Sequence, residues 1–249
     1  MIEFDVSSSE QNYLDFANTQ LLVNAKITRG NGDDITDADD VGEVNLFLHS
    51  LLQQVDVSIN NVQFSQSAGT YAYRACIESL LSYGPQAKTS QLTAALHYKN
   101  TAGNMDRPNP DNANAVETNY ELQKRVAFTD RGAIVDMIGC NHSDILFQDR
   151  YMLSEVNVKV RLVRNKDSFC LMSGEANPSY KVKLISAFLL VRKVQLSPSV
   201  FLAHAQALES GLAKYPIKRV VCKTYTMPGN LDGNHEKLFT GQLSSRLVI

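Results

Sequence analysis

Residues 54 to 65, with the sequence QVDVSINNVQFS, carry the feature that most restricts the fold. Apolar residues occupy every second position before Asn60-Asn61, and the alternation resumes after that pair. Alternation places the apolar side chains on one face of an extended strand, and Asn tolerates the left-handed backbone that a two-residue turn requires. The segment therefore predicts a β-hairpin, and a fold in which strands bury one face.

The same alternation recurs at residues 21–27 and 156–162, which predicts two more half-buried strands. Residues 180–196 are apolar on both faces of an extended strand, which predicts a central strand covered on both sides. Further strands are predicted at residues 3–6, 44–49, 133–138, 145–148, 219–227, 237–239 and 246–249.

Helices are few in the predicted pattern. One is expected at residues 70–82, and a second is expected after Ser197, where Pro198 suits the first turn and Gly211 can end the helix. Residues 100–119 are rich in Asn, Asp and Pro, which indicates a long loop. The sequence thus predicts a mostly β fold, a jelly-roll β-sandwich with short helical excursions.

Charge and cysteine content exclude several classes of function. The 249 residues carry a formal net charge of −2, so no overall attraction to nucleic-acid phosphates is expected. The basic pairs, such as Lys124-Arg125, are read as lateral salt bridges or solvated strand faces. No apolar run reaches the ~18 residues of a membrane span, and the amino terminus lacks a signal-peptide pattern. The widely spaced cysteines, Cys76, Cys140, Cys170 and Cys222, are expected as reduced and mostly buried thiols.

Motifs that carry catalysis or metal binding are absent from the sequence. The five histidines stand in separate contexts without a second His at metal-ligand spacing, and no phosphate-binding loop or nucleophile elbow occurs. The acidic segment at residues 30–40 lacks the terminal Glu of an EF-hand calcium loop and has no Gly at the position that such a loop requires. It therefore favours a solvated turn. Residues 140–144, CNHSD, combine nucleophile, base and acid types, but neighbours on an extended segment point to alternate faces, so polar turn residues are the preferred interpretation. No catalytic, cofactor-binding or metal-ligating residue is predicted.

Several segments resemble a family of uncharacterised invertebrate proteins attributed to Polinton, or adintovirus-like, elements. The segments that carry the resemblance are VNLFLHSLL (44–52), VDVSIN (55–60), YAYRACIESLLSY (71–83), VDMIG (135–139), HSDILFQDRY (142–151), RLVR (161–164), FCLM (169–172) and LSPSVFLAH (196–204). The resemblance spans nearly the whole chain. It implies a double jelly-roll major capsid protein, in which two sandwiches stand side by side and three subunits form a capsomer.

The resemblance also implies a domain division and a function. Residues 1–196 are expected as the first jelly roll, 197–214 as a linking helix and 215–249 as opening strands of a second, incomplete jelly roll. The expected function is a structural, hexon-like capsid subunit or capsid-derived protein, not an enzyme, that associates with itself as a homotrimer and with neighbouring capsomers. No cofactor, specific nucleic acid or small-molecule substrate is expected. The expected location is the virion or the host cytoplasm or nucleus, without secretion.

Two alternatives remain open at this stage. A β-sandwich binding module for a sugar or a protein is one, because jelly rolls serve lectins as well as capsids. The absence of Trp counts against a sugar site. A cupin-like enzyme is the other, and it would need His and carboxylate ligands to converge inside the sandwich.

Overall fold

Strands dominate the computed structural model, which describes residues 1–7, 12–65, 69–108, 118–224 and 247–248. The strands are β1 (Ile2–Ser7), β2 (Asn12–Arg29), β3 (Val41–Glu43), β4 (Leu52–Ile59), β5 (Val62–Gln63), β6 (Val135–Cys140), β7 (Asn157–Arg164), β8 (Leu171–Ser173), β9 (Tyr180–Gln195), β10 (Lys214–Tyr215) and β11 (Leu247–Val248). The helices are α1 (Phe47–Ser50), α2 (Tyr71–Ser82), α3 (Pro85–Lys88), α4 (Tyr120–Thr129), α5 (Asp167–Cys170) and α6 (Pro198–Ser210). Short 3₁₀ turns include Gln91–Ala95 and Asp144–Phe147.

Two antiparallel sheets form the framework. The first has the strand order β1-β7-β4-β5 and the second has the order β6-β2-β9. Along the chain, β1 lies in the first sheet, β2 in the second, β4 and β5 in the first, β6 in the second, β7 in the first and β9 in the second. This repeated crossing between two sheets is the connectivity of a jelly roll. The predicted mostly β sandwich is confirmed.

The main apolar core lies between the two sheets. Val57 and Val160 of the first sheet and Leu21, Val23 and Met137 of the second are all buried in the same cluster. They occupy alternate positions of their strands, as the side-chain period of two requires. Burial of each such large side chain stabilises the fold by about 1.5–3 kcal/mol, so this cluster holds the sheets together.

The predicted hairpin is present at β4 and β5. Asn60 and Asn61 have φ angles of 47° and 65°, so both lie in the left-handed region. The Asn60 side chain also accepts a hydrogen bond from the Asn157 backbone N–H at 3.0 Å, which ties the turn to β7. Asn is suited to both tasks because its side chain is short and polar.

The acidic segment at residues 30–40 is held by basic side chains. Asp39 binds Arg29 at 2.6 Å, Asp34 binds Lys26 at 2.5 Å, and Asp37 binds Arg131 at 2.7 Å. The hydrogen bond from Arg29 holds the pKa of Asp39 well below its usual range. These carboxylates are therefore engaged by cations of the same chain.

Two predicted strands are wrong. Residues 44–49 form a turn and α1, because Leu46 takes a left-handed conformation with φ of 60° and its N–H bonds to the Leu96 carbonyl at 2.9 Å. Residues 145–148 fall largely in the 3₁₀ turn Asp144–Phe147. In both segments the apolar side chains pack into the core without an extended backbone, since tertiary contacts outweigh local strand preference.

The prediction that residues 180–196 form a central strand is also wrong. β9 pairs with β2 and lies at the edge of its sheet. Ile185, Phe188 and Leu190 of β9 are 45%, 53% and 46% exposed. Among the described residues, the apolar side chains on the second face of this strand are therefore about half exposed.

Some of the other predictions agree with the structure, one disagrees with it over its described residues, and some fall on residues outside the described part of the chain. The two helices appear as α2 and α6, and the four cysteines are free, although only Cys170 is buried. The strand predicted at residues 219–227 is wrong over residues 219–224, which form no strand, while residues 225–227 and 237–239 lie outside the described residues. At the end of the chain, β11 pairs with β10. Residues 109–117 of the predicted loop also lie outside the described part, and residues 101–108 contain neither helix nor strand.

The hairpin turn gives a prediction about stability. Asn61→Val should lower the free energy of unfolding by about 1–2 kcal/mol, because a β-branched residue is strained at positive φ. Asn61→Gly is the matched control and should leave it unchanged or raise it. Urea unfolding of the two variants measures the difference, and equal stabilities would contradict this account of the turn.

Candidate functional site

A polar network lies where α2 packs against the segment that follows β6. Tyr71, Arg74 and Glu78 are spaced by three and four residues, so they share one face of α2. His142 and Asp144 approach this face from the segment after β6, where they were predicted as turn residues. The sequence predicted no site here, and the structure brings these side chains together from opposite halves of the chain.

Charged groups of the network are joined in series. His142 Nδ1 lies 2.7 Å from Glu78 Oε2, Glu78 Oε1 accepts a bond from Arg74 Nε at 2.8 Å, and Arg74 Nη2 donates to Asp144 Oδ1 at 2.5 Å. Burial alone would raise the pKa of Glu78, but the hydrogen bond to His142 and the nearby Arg74 charge lower it. Arg74 thus balances two carboxylates at a largely buried position.

Tyr71 links the network to a second histidine. Its hydroxyl lies 3.0 Å from His49 Nδ1 and accepts a bond from the His142 backbone N–H at 3.3 Å. The two imidazole rings meet edge to face with centroids 4.8 Å apart. Burial first, and the neighbouring His142 second, hold the pKa of His49 well below its usual value. His49 is therefore neutral at pH 7.

The His142 and Asp144 side chains of the CNHSD segment do not form a pair with each other. Each binds a side chain of α2 instead. Burial raises the pKa of the Cys140 thiol, so no thiolate is available at neutral pH. Asn141 is 1% exposed, and both polar atoms of its side chain lack a hydrogen-bond partner. The segment is irregular, as predicted for turn residues, but three of its members are buried.

A cavity of about 220 Å³ adjoins the network. It lies between the β4–β5 hairpin, α2, residues 142–145 and the extended residues 217–222, and Thr70, Arg74, His142 and Asp144 are among its lining. The polar groups on its wall already bind one another. This arrangement fastens α2 to the sandwich and holds residues 217–222 nearby, and the free cysteine Cys222 is among the lining residues.

A second buried polar group lies at α4, which the sequence did not predict. Arg125 is fully buried and donates to the backbone carbonyls of Glu43 and Tyr98 and, at 2.7 Å, to Asn100 Oδ1. The interpretation of Lys124-Arg125 as solvated strand residues is therefore wrong for Arg125. Burial raises the pKa of the Glu43 carboxyl to about 7, although the Thr129 side chain and the charge of Arg125 act in the opposite direction. Arg125 of α4 therefore connects β3 and residues 98–100 to this helix by hydrogen bonds.

Metal binding finds no support in the part of the chain that the structure describes. No cluster of three or more His, Cys, Asp or Glu residues there could hold an ion. His49 and His142 do converge, but each binds a side chain of α2 through Nδ1. His97 and His204 lie elsewhere, and His235 is outside the described residues. Across the same residues, no helix is long and apolar enough to cross a membrane.

The network predicts a large effect of removing its cation. Arg74→Leu should lower the free energy of unfolding by about 3 kcal/mol, because Asp144 would lose its positive partner and Glu78 would keep only its contact with His142. Lys124→Leu is the matched control, since the Lys124–Glu121 pair is exposed and should contribute less than about 0.5 kcal/mol. Equal losses in chemical unfolding would show that the network adds no stability of its own.

His49 predicts how stability depends on pH. Its pKa in the folded chain is below the usual 6.5, so the unfolded chain binds a proton first as the pH falls. The burial of neutral His49 therefore has no cost in protonation above pH 6.5. Below pH 6.5 the free energy of unfolding decreases, by at most about 1.4 kcal/mol per pH unit. Unfolding curves between pH 7.5 and 5 should show a shallower dependence for His49→Gln than for the wild type. A slope for His49→Gln equal to that of the wild type would contradict this account.

The known proteins that are similar to this chain include a relative in sequence and a neighbour in structure. No family model matches the chain. The chain is 24% identical, over 99% of its length, to the uncharacterized protein F54H12.2 of Caenorhabditis elegans, of which it covers 58%. The structure overlays on the crystal structure of mavirus major capsid protein with a TM-score of 0.38 and 11% identity, covering 80% of this chain and 44% of that one. The chain thus spans less than two thirds of the length of either protein.

Proposed function

We propose that the protein is a structural, hexon-like capsid subunit or a capsid-derived protein that acts by associating with copies of itself as a homotrimer, without catalysis. The observation that carries the proposal is the uncovered apolar face of the second sheet. A self-associating shell subunit needs a rigid sandwich and an apolar surface that neighbours can cover. The resemblance of the sequence to capsid-related proteins of Polinton-like elements supports the same role.

The uncovered face has a defined geometry. Leu21 and Val23 of β2 point into the core, so Leu22 points to the opposite face of the sheet. Leu22 pairs with Ile138 of β6 on one side and with Phe188 of β9 on the other. An apolar row therefore crosses three strands on the outer face, with Phe188 more than half exposed.

Charge is absent from the middle of β9. Residues 184–191 contain no Asp, Glu, Lys or Arg, whereas Lys181, Lys183, Arg192 and Lys193 lie towards the two ends of the strand. Edge strands of proteins that remain monomeric commonly carry charges or Pro that prevent pairing. The middle of β9 has neither, which favours contact with another protein surface.

The same proposal covers the domain division and the location. Residues 1–196 would form the first jelly roll, 197–214 the linking helix and 215–249 opening strands of a second, incomplete jelly roll, with Tyr215 packed in the core of the first. The helix α6 lies within the proposed link. The net charge of −2 favours assembly through protein contacts over direct binding of nucleic acid. The proposed location is the virion or the host cytoplasm or nucleus.

A β-sandwich binding module is the second candidate, and the cavity beside α2 is the feature that suggests it. Two properties of the cavity nevertheless count against a ligand site. Its volume of about 220 Å³ is below the ~300–1,000 Å³ of most ligand pockets. The groups on its wall are also engaged with one another. The binding-module reading therefore ranks below self-association.

Self-association can be tested through the face that carries the proposal. We expect the wild-type chain to assemble with rising concentration, and the double variant Phe188→Ser/Leu190→Ser to stay monomeric with little change in melting temperature, because both side chains are about half exposed. Val62→Ser is the matched control, since Val62 is 59% exposed on the hairpin and outside this face. Light scattering with negative-stain microscopy measures the state, and a mass of three subunits would support the trimer. A wild-type chain that stays monomeric at all concentrations would contradict the proposal.

A further inference from the structure

Residues 213–224, here called the arm, dock firmly at their beginning. Tyr215 is 3% exposed and joins the main core cluster. Its hydroxyl donates to the Tyr151 carbonyl at 3.1 Å and accepts from the Leu153 N–H at 3.3 Å. Gln148 adds a bond from its side-chain amide to the Pro216 carbonyl at 2.9 Å. The beginning of the arm therefore forms part of the main core through Tyr215.

The arm then crosses the groove between the hairpin, α2 and residues 142–145. The Val220 N–H donates to Asp144 Oδ1 at 3.2 Å, and Thr70 Oγ1 donates to the Cys222 carbonyl at 3.1 Å. Residues 216–224 form no helix or strand, so the groove holds an irregular peptide through side-chain contacts to its backbone. The cavity of about 220 Å³ borders this peptide.

The helix that joins the arm to the sandwich docks poorly. No residue of α6 is buried, and Val200 and Leu202 are 43% and 59% exposed. Its polar contact to the sandwich is the pair His204 Nδ1 and Tyr13 hydroxyl at 3.1 Å. A cleft of about 370 Å³ is bordered by α6, residues 150–153 and the start of the arm. A well-docked segment thus follows a loosely held connection.

We propose that the arm is exchanged between copies of this chain, so that residues 213–224 of one copy occupy the groove and core position of its neighbour. This inference rests on the proposed self-association and names one of its contacts. The arm makes the same contacts whichever copy supplies it, so exchange changes only the path of α6 and adds no unmatched polar group. A second copy is the occupant because the groove complements this particular segment, whose Tyr215 completes the core. Exchange also places the exposed apolar side chains of α6 between two copies, where they can be covered.

Site-directed cross-linking tests the exchange. One copy carries Thr70→Cys and Cys222→Ser together with a large affinity tag, and the co-expressed second copy is wild type. Thr70 is suited to cross-linking because its hydroxyl already contacts the Cys222 backbone at 3.1 Å, and a Cys thiol at this position remains a weak donor to the same carbonyl. A short bismaleimide can then join Cys introduced at position 70 of one copy to Cys222 of the other only if the arm is exchanged. The control pair lacks Thr70→Cys and reports any reaction of Cys76 or Cys140.

The expected result is a cross-linked product of tagged and untagged chains, absent from the control pair, with an untagged mass contribution of 27.6 kDa. The single variant Thr70→Cys, which keeps Cys222, is treated in parallel. If it cross-links only within one chain while light scattering still finds assemblies, the exchange is overturned and the proposed self-association stands. If it cross-links within one chain and stays monomeric at all concentrations, both proposals are overturned.

Discussion

The pairing of β2 with both neighbours is the interaction on which the rest of the fold depends. β2 joins β6 through one edge and β9 through the other, and its inward side chains Leu21 and Val23 form one wall of the core. Without it the second sheet would have no centre, and the first sheet would have nothing to pack against. The register shift between Asn24 and Ala25 adjusts the long pairing with β9. Bulges of this kind increase local twist, which long antiparallel pairs need in order to follow a curved core.

The polar network of α2 fixes the position of a helix, whereas the apolar core holds the two sheets together. A helix that packs against a sandwich needs a fixed position, and Arg74 provides it by binding Glu78 of its own helix and Asp144 of the segment after β6. Tyr71 and the two histidines continue the same contact into a buried region. Buried polar groups of this kind impose one arrangement because any other would leave charges without partners. The arm meets this network at Asp144, so the position of α2 and the seat of the arm are coupled.

Much of the β framework could be predicted, whereas the candidate site could not. Strands that bury one face, such as β4 and β7, show the alternation that identifies them, and the helix α6 carries Pro198 at its start. Within α2 the spacing of Arg74 and Glu78 was a visible signal of a polar stripe. Nothing local indicated its partners, since His142 is 64 residues from Glu78 and Asp144 is 70 residues from Arg74. The buried state of Arg125 was equally hidden, because it depends on carbonyl groups of distant loops.

The sequence by itself determined that the alternating segments β2, β4 and β7 extend, where the hairpin turns, and that the chain forms a sandwich, because side-chain alternation and the left-handed preference of Asn act between near neighbours. Only the tertiary structure decided that β9 lies at a sheet edge with Phe188 exposed, that residues 44–49 bend into α1, and that the polar side chains of α2 find their partners. An apolar residue in a strand has the same local pattern whether a second layer covers it or not. The cover is supplied by segments far away along the chain or by another molecule, and local sequence does not encode either.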